Sequence, residues 1–482
     1  MRTLEMLIFI VLVPVLIGQS LRWSRRQGWL QVSPWVTLVL ALVHLGIEKY
    51  RWQMVPAYLL LVWACLWTLR KAPTKVIRNS RGRTVVRITG VGLRLVAYSV
   101  ALFLAVKIPV FDDPAPTGPY FVGTTRLHFV DVSRQDPFAP NPHTPRELLV
   151  VAWYPADVAP GAQPEPFWPN APATAPLLAQ VLHLPRFNFL QHLRLVKSHS
   201  YPDAPVARAQ PQYPVLIFSH GYGSTPWQNT VQMEELASHG FIVFSVGHTY
   251  DSLAIPFPDG RVVPISQARV EALVTRDPAE SKRIATKSLG VWVADTRYVL
   301  DELTKINAGA AAGAAEPGKR FTNRLELTRV GVFGMSFGGA TAGEFCLQDP
   351  RCKAGMNMDG LQRGNVGEHP LSVPFLYFAH EGDKVNDPIY ASSRGDLYSV
   401  QIRHSAHANF SDASLVLPIL KGTGLLGSID AQEMERILSA YTLAFFQKYL
   451  QGKQPTLLDG PPPAGQFPEV IFTARRAPAA GQ

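Results

Sequence analysis

The sequence predicts an α/β protein: a mostly parallel eight-stranded sheet with helices on both faces, preceded by a bundle of four transmembrane helices. Three observations point there. Apolar residues crowd into the first 110 positions, and from about residue 120 short β-rich runs alternate with helical stretches. In addition, Gly334-Met335-Ser336-Phe337-Gly338 follows one of those β-rich runs directly.

The membrane region is read from four apolar runs, 4–18, 34–47, 55–69 and 91–110, in a chain of 482 residues that is 47% hydrophobic and 17% charged. Only the last run approaches the roughly 20 residues needed to cross the hydrocarbon core unaided. Of tryptophans 23, 35, 52, 63 and 67, most fall near run ends, where an amphipathic ring suits the headgroup layer. A cleaved signal peptide is the competing reading of the first run. Three more apolar runs follow it, however, which argues against a removable leader.

The formal charge of +10 is explained by the flanks of these runs rather than by nucleic-acid binding. Arg22, Arg25 and Arg26 form one basic cluster, and Arg70, Lys71, Lys75, Arg78, Arg81, Arg83 and Arg87 form another. The positive-inside rule puts both in the cytoplasm, so four spans place everything after residue 112 on the extracytoplasmic face. Three cysteines without metal-ligand spacing support neither a zinc module nor a disulfide scaffold. Cys346 and Cys352 flank the end of one predicted helix, and a disulfide and two free thiols stay open alternatives there.

Eight strands are expected in a catalytic domain over 120–452: 127–132, 148–154, 215–219, 241–246, 329–333, 354–358, 375–378 and 398–402. Val215-Leu216-Ile217-Phe218 has no polar interruption, as a strand covered on both faces should. Stretches 159–175 and 308–318 carry turn chemistry, and 176–212 reads equally as a small helical cover or as packing. Ser428-Ile429-Asp430-Ala431-Gln432-Glu433 offers an N-cap signal ahead of a closing amphipathic helix. The Pro-rich tail, 453–482, is expected to be extended over the surface or disordered.

Gly334 to Gly338, set between a strand and a helix, has the chemistry of a nucleophile elbow, in which small residues permit a tight turn exposing Ser336. This suits an α/β-hydrolase fold. A serine hydroxyl needs a base, itself oriented by a carboxylate. The chain order of this fold puts that base late, and His407, in the loop after the last strand, is the candidate, with His404 its nearest competitor. His380 is read as structural. The acid is either Asp359, which directly follows strand 354–358, or Asp383 or Asp387 after the next strand, and spacing does not choose between them. The oxyanion hole is expected from the backbone N–H groups of Phe337 and of Tyr222 in the glycine-rich loop Ser219-His220-Gly221-Tyr222-Gly223-Ser224.

Five blocks together resemble one family: Phe218 to Gly223, Ala237 to Val243, Gly334 to Thr341, Met358-Asp359-Gly360 and His407 to Asp412. They are similar to the plasma and intracellular type II platelet-activating factor acetylhydrolases and their bacterial relatives. The resemblance implies Ser336, Asp359 and His407 as catalytic triad and Tyr222 and Phe337 as oxyanion donors. It implies hydrolysis of esters with short or oxidised acyl groups, phospholipids at the membrane surface included. No cofactor and no metal is required by such chemistry. The sequence differs from the animal enzymes in its four N-terminal spans, in segment 160–210 and in Tyr222, where they carry an aliphatic residue. The expectation is an integral protein of a bacterial inner membrane whose partners are the bilayer and its ester substrate. Dienelactone-hydrolase-like or polyester-type esterases are the alternative within the same chemistry, and a non-catalytic membrane binding or signalling module is the alternative outside it.

Overall fold

The computed structural model describes residues 1–20, 28–69, 81–181, 190–266, 271, 277–310 and 316–477. The basic cluster at 22–26 and most of the cluster at 70–87 lie outside these residues. The chain divides into two compact units: Met1–Asp112 with the segments Phe189–Val196 and Val416–Ile419, and the rest from Asp113 onward.

The first unit contains α1 (Thr3–Ser20), α2 (Gly28–Ile47), α3 (Val55–Leu69) and α4 (Arg81–Lys107). Among the described residues, segments Gly28–Ile47, Trp52–Leu69 and Ile88–Lys107 are long and apolar enough to cross a membrane, and Thr3–Gln19 is a shorter apolar helix. Small residues let the helices approach: Ala57, Ala101 and Ala105 are fully buried in one cluster with Ile8, Leu12 and Leu61. Buried charge is paired. Arg51 donates to both Glu5 oxygens, at 2.6 and 2.7 Å, and to the carbonyls of Ala105 and Ile108 at the end of α4.

The second unit is built on one mixed sheet. Its strands are β1 (Phe121–Gln135), β2 (Pro145–Ala156), β3 (Ser200–Pro202), β4 (Tyr213–Ser219), β5 (Ile242–His248), β8 (Leu325–Met335), β9 (Cys352–Met358), β10 (Phe375–His380), β11 (Leu397–Ile402) and β12 (Val470–Arg475). A separate hairpin pairs β6 (Ala254–Pro256) with β7 (Val262–Pro264). The sheet order is β12-β11-β10-β9-β8-β4-β5-β2-β1-β3, so among the described residues ten strands replace the eight expected. The eight expected positions all lie in it, and the two additional strands are its edges. β3 is three residues long and carries no pattern. β12 falls in the Pro-rich tail, for which an extended course over the surface and disorder are the two expectations; residues 470–475 are extended and ordered. Residues 470–475 pair antiparallel with β11, Val470 opposite Ile402 and Arg475 opposite Leu397.

The central strands alternate between two cores, because successive side chains leave opposite faces. Leu216, Phe218 and Phe333 join the core under α6 (Thr230–Ser238) and the closing helix α9 (Ala431–Gln451). Val215, Ile217 and Val332 join the core under α7 (Pro278–Asn307) and α8 (Phe337–Gln348). The expected N-cap holds: Asp430 accepts from the N–H groups of Gln432 and Glu433, and left-handed Gly452 ends α9. Between β2 and β3 a helix α5 (Ala171–Val181) begins inside the stretch read as turns, and 182–189 lie outside the described residues. Cys346 and Cys352 are bonded to each other, joining the end of α8 to the start of β9.

Candidate active site

β8 ends at Met335, α8 begins at Phe337, and Ser336 between them holds φ +55° and ψ −117°. A non-glycine residue in that region is strained, and the surroundings enforce it. The Ser336 N–H donates to the Met358 carbonyl of β9 at 2.8 Å, tying the elbow to its neighbour strand. A Cβ added to Gly338 would lie 1.9 Å from the Ser219 carbonyl oxygen, so only glycine lets the first turn of α8 approach the end of β4. That approach puts Phe337, whose N–H is at the start of the helix and has no intrahelical acceptor, beside the loop after β4.

The structure brings Ser336, His407 and Asp359 into one line. His407 Nε2 lies 2.9 Å from Ser336 Oγ, and His407 Nδ1 lies 2.7 Å from Asp359 Oδ2. Asp359 follows β9 with φ +54°, and its side chain is fully buried. His407 opens a short turn, 407–410, that is held from three sides. Asn409 Oδ1 accepts from Ala406 and Gly427 N–H groups, Asn229 donates to the Phe410 carbonyl, and Asp412 accepts from the Thr230 N–H at the start of α6.

The competing residues are placed elsewhere. His404 Nδ1 lies 3.8 Å from a Glu381 oxygen, to which its backbone N–H also donates. Asp383 accepts from the Val385 N–H, and Asp387 accepts from the Tyr377 hydroxyl at 2.7 Å. His380 is closer to the chemistry than its sequence context suggests. Strand β10 pairs with β9, Phe378 opposite Met358, so the residues just beyond them emerge side by side. Asp359 Oδ1 accepts from the His380 N–H at 2.7 Å and lies 2.8 Å from His380 Nδ1. One buried carboxylate thus serves two imidazoles, and the hydrogen bond to Asp359 raises the His380 pKa above its ordinary value. Asp359, His380 and Asp383 bring ligand-type atoms within 4.8 Å of one another. Asp359 is already engaged there by both histidines.

Under the loop after β4 lies a network that the sequence does not announce. His248, the last residue of β5, has Nε2 at 3.1 Å from Ser219 Oγ and Nδ1 at 2.9 Å from Asp295 Oδ2. Asp295 in turn accepts from Arg146 at 2.6 Å, and Arg146 donates to Asp136 at 2.7 Å. This second Ser-His-Asp array is closed to solvent, and burial lowers the His248 pKa. It therefore holds the end of β4 and presents no reactive hydroxyl. Burial also pushes His220 down to about 3, so its neutral ring bridges Ser252 and the loop backbone. Gln228 links the same loop to the elbow, accepting from the Gly221 N–H and reaching Met335 Sδ at 3.2 Å. Sequence spacing hid these residues because they come from β2, β4, β5, α7 and three loops.

A family model described as "Platelet-activating factor acetylhydrolase, isoform II" matches residues 111–456. A probable 1-alkyl-2-acetylglycerophosphocholine esterase of Arthroderma benhamiae is 25% identical over 406 residues, spanning 77% of this chain and 97% of that protein. The platelet-activating factor acetylhydrolase of Cavia porcellus is 27% identical over 262 residues, spanning 50% of this chain and 58% of that protein. Among solved structures, a ferulic acid esterase from Streptomyces cinnamoneus superposes with a TM-score of 0.61 at 27% identity, covering 76% of this chain and 99% of that one. With an α/β-hydrolase sheet, an elbow serine and these relatives together, the chain belongs to the platelet-activating factor acetylhydrolase isoform II family of carboxylic-ester hydrolases.

Proposed function

We propose that this protein is a membrane-anchored serine esterase that forms its acyl-enzyme on Ser336. The observation carrying the proposal is the continuous path from Ser336 Oγ through His407 to Asp359, at 2.9 and 2.7 Å. His407 Nε2 takes the hydroxyl proton as Oγ bonds to the ester carbonyl carbon, and the buried Asp359 carboxylate stabilises the imidazolium formed. The Tyr222 and Phe337 N–H groups receive the negative oxygen of the tetrahedral intermediate. On collapse, the alcohol leaves with the His407 proton. Water then gives a proton to His407 as it attacks the acyl carbon, and on collapse the Ser336 Oγ–acyl bond breaks, Oγ takes that proton from His407, and the acid is released.

The proposed substrates carry short or oxidised acyl groups, with phospholipids of the platelet-activating-factor type first among them; two relatives named for such lipids support this choice. The N-terminal helices would hold the enzyme at the lipid surface from which such a substrate comes. Four spans with both basic clusters in the cytoplasm would put the catalytic unit outside it, and the bonded Cys346 and Cys352 fit an oxidising compartment. A second reading, hydrolysis of aryl esters, draws on the ferulic acid esterase likeness. The test is a fluorophosphonate probe together with a panel of nitrophenyl esters, hydroxycinnamate esters and sn-2-acetyl phospholipids. Labelling and turnover should vanish in Ser336→Ala. Labelling that survives in a folded Ser336→Ala protein refutes the mechanism, and preference for hydroxycinnamates over acetyl phospholipids moves the substrate to the second reading.

A further inference from the structure

The two proposed oxyanion donors come from different elements. Tyr222 sits in the loop after β4, and Phe337 opens α8 after β8. An oxyanion hole works only if both N–H groups aim at one point, so something must fix their relative position. The rings of these residues meet at Trp292 of α7.

Trp292 is fully buried. Its ring centroid lies 4.9 Å from that of Phe337 at an interplanar angle of 86°, and 6.3 Å from that of Tyr222 at 5°. Tyr222 and Phe337 are themselves 5.8 Å apart at 80°, which closes a triangle of three rings. Trp292 also stacks on His248, 3.8 Å away at 7°. His248 is immobilised by Ser219 and Asp295. Trp292 and Asp295 are three residues apart on α7 and share a face, so one helical turn supplies both the ring and the carboxylate that steadies the ring beneath it. The indole N–H donates to Asp251 Oδ2 at 2.9 Å, and the Asp251 carbonyl accepts from the Gly223 N–H at 2.9 Å. Trp292 therefore engages the loop at Tyr222 directly and at Gly223 through Asp251.

We infer that Trp292 is a positioning residue that aligns the two oxyanion donors, packing against both of their side chains while anchored to the buried Ser219–His248–Asp295 array. The inference rests on the serine-esterase reading of Ser336 and its two donors. Removing the ring frees Tyr222 and Phe337 to move relative to each other, and a misplacement near 1 Å costs on the order of 100-fold in rate. The loss belongs in kcat, because ground-state ester binding does not use the oxyanion contacts fully.

The test uses the full-length protein, with turnover expressed per site titrated by fluorophosphonate. Trp292→Leu should lose roughly 10- to 100-fold in kcat while KM stays within about 3-fold. Affinity for a trifluoromethyl ketone, whose serine adduct carries the oxyanion, should fall by the same factor as kcat. Trp292→Phe keeps a flat ring and should recover most of both. A Trp292→Leu enzyme with kcat within about 2-fold of the parent, or with its loss confined to KM and unchanged ketone affinity, overturns the inference. Should Trp292→Leu fail to fold, Tyr222→Ala must show the parallel loss, since it removes one ring of the triangle and leaves Trp292 in the core; normal kcat there is equally fatal. If the unaltered protein takes no label and turns over no ester, the serine-esterase reading itself falls and this inference with it. A normal parent beside an unaffected Trp292→Leu removes the inference alone.

Discussion

Replacing Asp359 by asparagine tests the proposed mechanism at its most specific point. The carboxylate is fully buried and its oxygen lies 2.7 Å from His407 Nδ1. When His407 takes the serine proton, the attraction across that distance at an effective dielectric of about 20 is about 6 kcal/mol. At about 1.4 kcal/mol per tenfold, losing it costs a little over four decades in kcat, in line with the roughly ten-thousand-fold penalty of the same change in serine proteases. The backbone should tolerate the substitution. Asp359 holds φ +54°, a region that asparagine occupies more readily than most residues, so Asn is a better probe than Ala.

The assay compares Asp359→Asn with Asp383→Asn for turnover of a nitrophenyl ester, with circular dichroism and melting establishing that both fold. Asp383 Oδ2 is 3.9 Å from His380 Nδ1 and its Oδ1 accepts from the Val385 N–H, so its amide should leave kcat within about 3-fold of the parent. An internal check comes from His380. Its raised pKa depends first on the bond to Asp359, so its ring-proton NMR titration should move to lower pH in Asp359→Asn. A crippled Asp383→Asn beside a nearly normal Asp359→Asn would refute the assignment of the acid.

Four further outcomes follow from the same coordinates. Gly338→Ala sets a Cβ 1.9 Å from the Ser219 carbonyl, so it should abolish fluorophosphonate labelling and lower the melting temperature; a normally labelled variant would mean that the elbow can relax. Breaking the Cys346–Cys352 bond with a double serine variant should cost about 2 kcal/mol for so short a loop, read by denaturant melts without reductant. Glu435, buried on α9 and accepting from Gln232 at 2.6 Å, has its pKa pushed up to about 8 by burial. The folded state thus holds a proton that the unfolded chain releases near its ordinary carboxyl value, and stability should fall as pH rises between the two, by on the order of 1 kcal/mol per unit. Burial also raises the neighbouring carboxyls of Asp412, Glu234 and Asp113, so Glu435→Gln should remove its own share of that decline, stabilising the protein at pH 8 and changing little at pH 5, whereas equal melting of variant and parent at pH 8 would contradict it. A reporter fused after Gln482 should be active only in its extracytoplasmic form; cytoplasmic activity would reverse the proposed four-span topology.

How much of this was legible in the sequence depends on whether the cause was local. The strand Val215 to Phe218 could be read because burial on both faces removes every polar residue from a short segment, and the cap at Asp430 because it acts within three residues. The elbow was legible for the same reason: the crowding of Gly338 against Ser219 is written into a five-residue pattern. The edge strand β12 was not. Its alternation, with Val470 and Phe472 buried and Ile471 exposed, is brief and follows Pro461-Pro462-Pro463, so composition pointed to a loose tail while pairing with β11 decided otherwise. The start of α2 was hidden in another way. Gly28 to Ser33 is not uniformly apolar, and the helix nevertheless runs through it to place Pro34 inside.

The choice between Asp359 and Asp383 shows where spacing stops. Both follow strands of the same sheet, and each strand alone offers a carboxylate to the same edge. What separates them is register. Because Met358 pairs with Phe378, Asp359 leaves β9 level with the end of β10, and His380, two residues beyond Phe378, arrives at its other oxygen. Asp383 lies three residues past that histidine, its Oδ2 3.9 Å from the His380 ring, and its Oδ1 accepts from the Val385 N–H. A one-dimensional reading assigns His380 a structural role because it precedes an acidic turn. The pairing makes it a second claimant on the carboxylate proposed to orient the base. The same holds beneath the oxyanion loop. Ser219, His248, Trp292 and Asp295 have no shared motif, and only the convergence of β4, β5 and α7 makes them a support for the residues that the motifs do reveal.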